Sequence, residues 1–411
     1  MEQQSVAKRL KTARKMRGLS AAQLAQRVNI SDSYLKKIEA GSRKASARLL
    51  LDLARALHIG PEVLTGQPYY GSPEAEDRIQ AVVPELRRLL LCYDSPDDLV
   101  TGPRSLAVLG SEVDQIAALR RDAKYAPMGP LLVPVVSELT HIALAGHNED
   151  TTRTAYGHLA RSYRAVNSLA HKMGHHDLSN TALERVRWAA DRSGDPLMQV
   201  TASYLVAGAM LRTGAYQPAR KLLDGLRPEL ERLMPERAYS AEALALDGAI
   251  ALKLAVVEAR SGNRDAAEGY LEEAESISAW AGDVDSDAYE MSFGPTNIKI
   301  HRVHALIDAC DTEQAVARLR EWGTDGRVWT PPSSTVGERA SHHHIDTAHA
   351  RLAEGDVRGA FGDLKQARLI APNHTRFHPS ARETTAALVR QDRSPSEELT
   401  HFAQWQGVMN P

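Results

Sequence analysis

Cysteine is almost missing from this 411-residue chain. Cys92 and Cys310 are too few and too far apart for a disulfide framework or a structural zinc site, and both are expected as buried small hydrophobes. Aromatic residues make up only 5% of the sequence. No apolar run is long enough to cross a bilayer: the longest uncharged stretch, Pro196 to Leu211, contains Gln199, Thr201 and Ser203. The opening MEQQSVAKRLKTARK lacks the apolar core of a secretory signal, so a cytoplasmic protein with no membrane association is expected. There is no HExxH, no Walker A loop, no dinucleotide-binding glycine fingerprint and no GxSxG elbow, so catalysis is not expected and no cofactor is called for.

What is present is an uneven distribution of charge. The net charge is −2, yet residues 1–60 hold thirteen Lys or Arg against four Asp or Glu, a net +9, which leaves −11 for the rest. A basic head on an acidic body is the footprint of a domain that meets a polyanion, nucleic acid or anionic lipid.

The apolar spacing of the head decides between the two. Val6, Leu10, Ala13 and Met16 recur at three and four residues and predict a helix over about 5–17, ended by Gly18. Ser20 with Gln23 forms a capping box that starts a second helix, Ala21 to Val28. Asn29 stops it, because Asn tolerates a left-handed backbone. Ser31 caps a third helix, Asp32 to Ala40, which buries Leu35 and Ile38. Ser46 caps a fourth, with Leu49, Leu53 and Leu57 on its inner face, and Pro61 opens a short fifth that ends at Gly66. A turn of about three residues between helices two and three, with the small Ala25 at their crossing, is helix-turn-helix geometry.

The stretch Leu19 to Leu57, with Ala25, Asn29, Leu35, Ile38, Glu39 and Gly41 at its signature positions, resembles the Cro/CI-repressor-like (XRE) family. The resemblance implies that helix three enters the major groove of a double-stranded DNA operator. Ser31, Asp32, Ser33, Lys36 and Lys37 are then the base-contact candidates, with Asp32 equally suited to stabilising its own helix N-terminus. Gln23, Arg27, Arg43 and Lys44 are placed for phosphates, which position the domain without reading sequence. Ala21 stands where some members carry a polar side chain, so that contact is missing here.

Residues 1–66 are thus assigned to the head, 67–78 to a turn-rich linker, 79–150 to connecting helices and 151–405 to helical repeats. The repeats show in RTGAYQPARKLL, RSGNRDAAEGYL, DACDTEQAVARL and AEGDVRGAFGDL. Each has a break followed five residues later by a small residue: Gly214/Ala219, Gly262/Ala267, Cys310/Ala315 and Gly355/Ala360. A less regular fifth break lies at Gly174. Paired antiparallel helices of this kind form a tetratricopeptide-like solenoid with a concave inner surface, here with a period longer than the standard 34. The fold class expected is all-α. FGPTNIKIHRVHAL and ERASHHHIDTAHARLAEGD resemble segments of the tetratricopeptide-containing XRE regulators of bacteria.

Tyr163, Asn167, Tyr204, Asn297, His301 and Asp346 interrupt apolar helices and are the candidates for the concave face. His342, His343, His344, His301, His304 and His349 lack a carboxylate or cysteine at ligand spacing. Consecutive His on one helix point apart, so they are expected as structural or pocket-lining imidazoles and not metal ligands. The leading expectation is a nucleoid-associated, homodimeric transcription regulator whose array senses a small molecule or short peptide. The alternative is an array that docks another protein and takes no small ligand.

Overall fold

The computed structural model describes residues 5–67, 75–146, 148–233, 240–392 and 394–409. The head follows its capping residues. Helices α1 (Val6–Met16), α2 (Ala21–Arg27), α3 (Asp32–Glu39) and α4 (Ala47–Ala56) begin after Ser5, Ser20, Ser31 and Ser46. Each of these Ser side chains accepts a backbone N–H that the helix start would otherwise leave unpaired. The Ser20/Gln23 capping box is complete, and Asn29 is left-handed at φ 58. With α5 (Pro61–Thr65) these helices enclose Leu10, Leu24, Ala25, Leu35, Ile38, Leu53, Leu57 and Leu64. Arg14 on α1 grips Glu39 on α3 through two bonds of 2.6 and 2.8 Å in a nearly buried fork.

The body is also all-helical; among the described residues its only β feature is an isolated bridge, Ser286 with Phe293. Helix α6 (Ala75–Leu91) begins inside the stretch read as linker, and the rest of that stretch, 68–74, lies outside the described residues. Helices α7 (Leu106–Arg121) and α8 (Tyr125–Leu144) follow. α8 has the length and apolarity of a membrane-crossing helix, yet Met128, Leu132, Val135, Val136 and Leu139 are packed in a core shared with α6 and with the first repeat pair. The segment read as connecting helices thus shares its core with the first repeat pair.

Five hairpins carry the array onward. They are α9–α10 (Glu149–Lys172, His176–Ser193), α11–α12 (Pro196–Arg212, Tyr216–Leu233), α13–α14 (Ala241–Ser261, Arg264–Trp280), α15–α16 (Pro295–Asp308, Thr312–Glu321) and α17–α18 (Gly337–Ala353, Val357–Ile370). Their turns fall at Gly174, Gly214, Gly262, Cys310 and Gly355, all left-handed. Ala219, Ala267, Ala315 and Ala360 are buried where the paired helices close. Cys310 takes that strained conformation without being glycine and is exposed; Cys92 is half-buried, so neither is the buried hydrophobe expected.

Three short helices, α19 (Pro372–Phe377), α20 (Pro379–Gln391) and α21 (Glu397–Trp405), end the chain. Here the solenoid curls until its ends meet. Ala371 and Phe377 join the core of α6–α10, Gly337 packs on the backbone of Asp122 just past α7, and Lys172 of α9 pairs with Glu338 of α17 at 2.9 Å.

The insertion between α14 and α15 reaches back across the array. Its Phe293 enters the core beside Gly248. Tyr289 donates to the Asp195 carboxylate ahead of α11 at 2.8 Å, and Glu290 meets Arg120 of α7 at 2.7 Å and Arg161 of α9 at 3.4 Å.

Candidate nucleic-acid interface and repeat-array lumen

Burying Leu35 and Ile38 turns Ser33, Lys36 and Lys37 of α3 outward, and all three are exposed. Ser31 accepts from the Tyr34 N–H, which leaves its hydroxyl proton free to donate. Asp32 binds Lys36 at 2.6 Å, so these two charges answer each other, while Lys37 stands exposed beside them. Gln23 commits its carbonyl to the Ser20 N–H, so its amide NH2 is the part that can meet a phosphate. Arg27 and Arg43 are exposed, Arg27 with one bond of 3.3 Å to the Ala56 carbonyl.

Lys44 departs from the sequence expectation. It points away from the α3 face and into the body, donating to the Ser380 hydroxyl at 2.7 Å and to Thr384 at 3.3 Å on α20. Burial lowers its pKa to about 8. It anchors the head and is not placed for phosphate.

The head sits on the rim formed by the repeat turns. Arg55 of α4 donates to the Gly214 carbonyl at 3.0 Å and Arg48 lies against Gly262. The Val6 N–H reaches Glu383 at 3.1 Å, and Arg390 donates to the Gly41 carbonyl at 3.2 Å. Between head and rim lies a cavity of about 720 Å³, lined among others by Tyr34, Lys44, Cys310, His349 and Arg390.

Of the six concave-face candidates, Tyr163 and Tyr204 belong to hydrophobic cores, and two of the six are wholly taken up by the first repeat layers. Tyr163 is fully buried among the first-layer side chains, and Asn167 spends its amide on the carbonyl and hydroxyl of Ser179, a bond between paired helices. The other four sit on inner helices with polar neighbours. Tyr204 (α11) carries the Lys253 ammonium 3.7 Å above its ring. Asn297 (α15) is buried with its side-chain oxygen unpaired, and its backbone carbonyl is 2.8 Å from His301 Nδ1. Burial, with Arg339 nearby, lowers His301 to a pKa of about 3 and keeps it neutral. Asp346 (α17) holds His304 at 2.9 Å. His304 also reaches Asp308 at 3.1 Å, and the two carboxylates overcome the opposing effect of burial to raise its pKa to about 10.

Sequence reasoning missed the cations among them. Lys253 and Arg212 converge on Gly208, whose Cβ position is 3.0 Å from Lys253 Nζ and 3.8 Å from Arg212 Nη1. Arg339 adds its charge to that of Lys253. None of the three has a carboxylate within 4.0 Å among the described residues. Burial and the neighbouring cations push Lys253 well below the usual lysine range. The signal was legible: Lys253 is the one charge in AIALKLAVV, a run otherwise entirely apolar.

The imidazoles point apart as their spacing requires. His344 binds Asp363 at 2.9 Å, His343 packs edge-on against Trp329, and His342 turns toward His374 and His378.

Against known proteins, the helix-turn-helix family profile matches residues 10–64. Two uncharacterized HTH-type transcriptional regulators from Mycobacterium tuberculosis strains (CDC 1551 / Oshkosh and ATCC 25618 / H37Rv) are 40% identical over 55 residues, 13% of this chain. The chain spans 39% of the length of those relatives. Among solved structures, the crystal structure of Bacillus thuringiensis PlcR in complex with the peptide PapR7 and DNA is similar at 13% identity and a TM-score of 0.37. That overlap covers 86% of this chain and 98% of the other. Residues 10–64 are a helix-turn-helix domain of the XRE type, carried at the N-terminal end of an all-helical repeat chain.

Proposed function

We propose that this chain is a sequence-specific, homodimeric transcription regulator whose helical array takes up a small molecule or short peptide and passes that event to the DNA-binding head. The observation that carries the reading is the seat of the head: α4 and the α3–α4 loop rest on the turns at Gly214 and Gly262 and on α20, through Arg55, Arg48, Lys44 and Arg390. Any ligand that favours one curvature of the array shifts those turns, and so shifts how two heads present their α3 helices to half-sites about 34 Å apart. Lys253 and Arg212 support an effector with an anionic group, since neither has a carboxylate within 4.0 Å among the described residues and Arg339 adds to the positive charge around Lys253. Asn297 adds an unpaired side-chain acceptor on α15.

The test begins with the full chain as purified. Native mass spectrometry identifies what it retains, and a duplex selected by the protein from a random pool serves as operator. The expected result is a retained anion that alters operator affinity several-fold and that Lys253→Met no longer holds. Operator affinity unchanged by every species found to bind the array contradicts the sensing role.

A further inference from the structure

We propose that His342, His374 and His378 form a binding site for a first-row transition-metal ion that accepts imidazole, such as Zn²⁺, Co²⁺ or Ni²⁺, at the seam where the array closes. Each offers one ligand atom, and these atoms all lie within 4.8 Å of one another. The rings are mutually close, with centroids 4.8, 5.2 and 5.4 Å apart. They come from three elements: His342 from α17, His374 from α19, and His378 from the link that starts α20.

The hydrogen bonds behind the rings assign their free lone pairs. Lys172 Nζ can only donate toward His374 Nε2, 3.2 Å away, so the proton of that ring sits on Nδ1 and goes to the Ser341 hydroxyl at 2.8 Å, which passes its own to the Glu338 carbonyl at 3.1 Å. His374 therefore keeps the lone pair on Nε2. His342 Nδ1 faces the Asp346 carboxylate at 3.5 Å, which favours the same tautomer. A carboxylate or hydroxyl behind the far nitrogen is the support that metal-bound imidazoles use. His378 Nδ1 is buried with no hydrogen-bond partner. Three imidazole donors around one position fit an ion that keeps a fourth site open.

Lys172 Nζ stands 3.2 Å from His374 Nε2 and also pairs with Glu338 at 2.9 Å. Without an ion it caps that nitrogen; with one it keeps Glu338 and yields Nε2. Drawing the donors from 4.8 Å to the spacing of about 3.4 Å set by tetrahedral bonds of about 2.0–2.1 Å asks for small shifts at the α19–α20 link. That link matters to the head, because Ser380, two residues beyond His378, accepts from Lys44. The site departs from the expectation that His342 is a structural or pocket-lining imidazole and not a metal ligand. That expectation considered His residues close in sequence, whereas His342 and His374 meet only through the fold.

The test uses chelator-stripped full-length protein titrated with Zn²⁺ by calorimetry and with Co²⁺ by visible absorption. The expected result is one ion per chain, with affinity at least tenfold weaker in each of His342→Ala and His378→Ala and unchanged in His401→Ala, whose side chain is exposed on α21. Should either alanine variant melt differently from the wild type without ion, His342→Gln and His378→Gln replace them under the same criteria. Absence of uptake by the wild type, or wild-type affinity in a folded His342 or His378 variant, overturns the site.

Discussion

Lys37 and Arg43 are both exposed on the head, yet they are expected to behave differently on DNA. Lys37 stands on the exposed side of α3, where a helix reaches base edges, while Arg43 lies past its end, where backbone phosphates run. Lys37→Ala should cost about 1–3 kcal/mol on the preferred duplex and flatten preference at one base position. Arg43→Ala should weaken all duplexes alike and lower the salt slope by about 1. Fluorescence titrations on selected and random duplexes at several salt concentrations separate the two; equal losses on both duplexes for both variants would contradict the division. Lys44→Met supplies the control. Because Lys44 is turned into the body and meets no phosphate, this variant should leave the salt slope of DNA binding unchanged, whatever loosening the head does to the affinity.

Glu290 carries a pH signature of its own. Burial works against its charge, but Arg120, Arg164 and Arg161 hold the carboxylate ionised and lower its pKa to about 2. A lowered carboxylate pKa stabilises the fold above the ordinary value near 4.5, and that contribution is lost as pH falls from there through about 2. Glu290→Gln leaves three guanidinium groups facing a neutral amide and should destabilise the chain by about 3–5 kcal/mol at neutral pH. Urea melts across pH 2–7 check both statements. A variant as stable as wild type at pH 7, or the same loss at pH 2.5 as at pH 7, would be contrary to this reading.

At the scale of the element, the hairpins and the head were legible and the insertion was not. Ser5, Ser20, Ser31 and Ser46 announce their helices because a capping hydroxyl acts locally, on an N–H two or three residues away. The breaks at Gly214, Gly262 and Gly355 are equally local, since only a left-handed residue closes such a turn. Tyr163 and Asn167 were misplaced for the opposite reason: a polar atom on an apolar helix looks the same in sequence whether it faces a groove or the neighbouring helix. The insertion carries no periodicity at all. Its place is set by Phe293, which occupies the space a Cβ at residue 248 would need. Gly248→Ala should therefore cost about 1–3 kcal/mol by overpacking, and Phe293→Leu should recover part of it in the double variant. Denaturant midpoints of the two single variants and the pair decide this; additive losses would mean the two positions do not compete.

For the whole molecule, the arrangement to explain is a basic head mounted on the edge of a curled array. The turns that reveal the repeat in sequence are also the surface that carries the head, through Arg55 on Gly214 and Arg48 on Gly262. That second role was invisible in the sequence, because it depends on the solenoid bringing turns 48 residues apart in sequence onto one rim. Packing between neighbouring elements gathers His342, His374 and His378, and it sets Lys253 beside Arg212.

The most direct measurement is selection of duplexes from a random pool by the full-length protein at low salt, followed by binding of the enriched sequence and a scrambled one. The account predicts enrichment of a two-fold symmetric sequence with half-sites one helical turn apart, bound at least a hundredfold more tightly than the scrambled duplex, with Lys37→Ala narrowing that ratio. Equal affinity for both duplexes would contradict it.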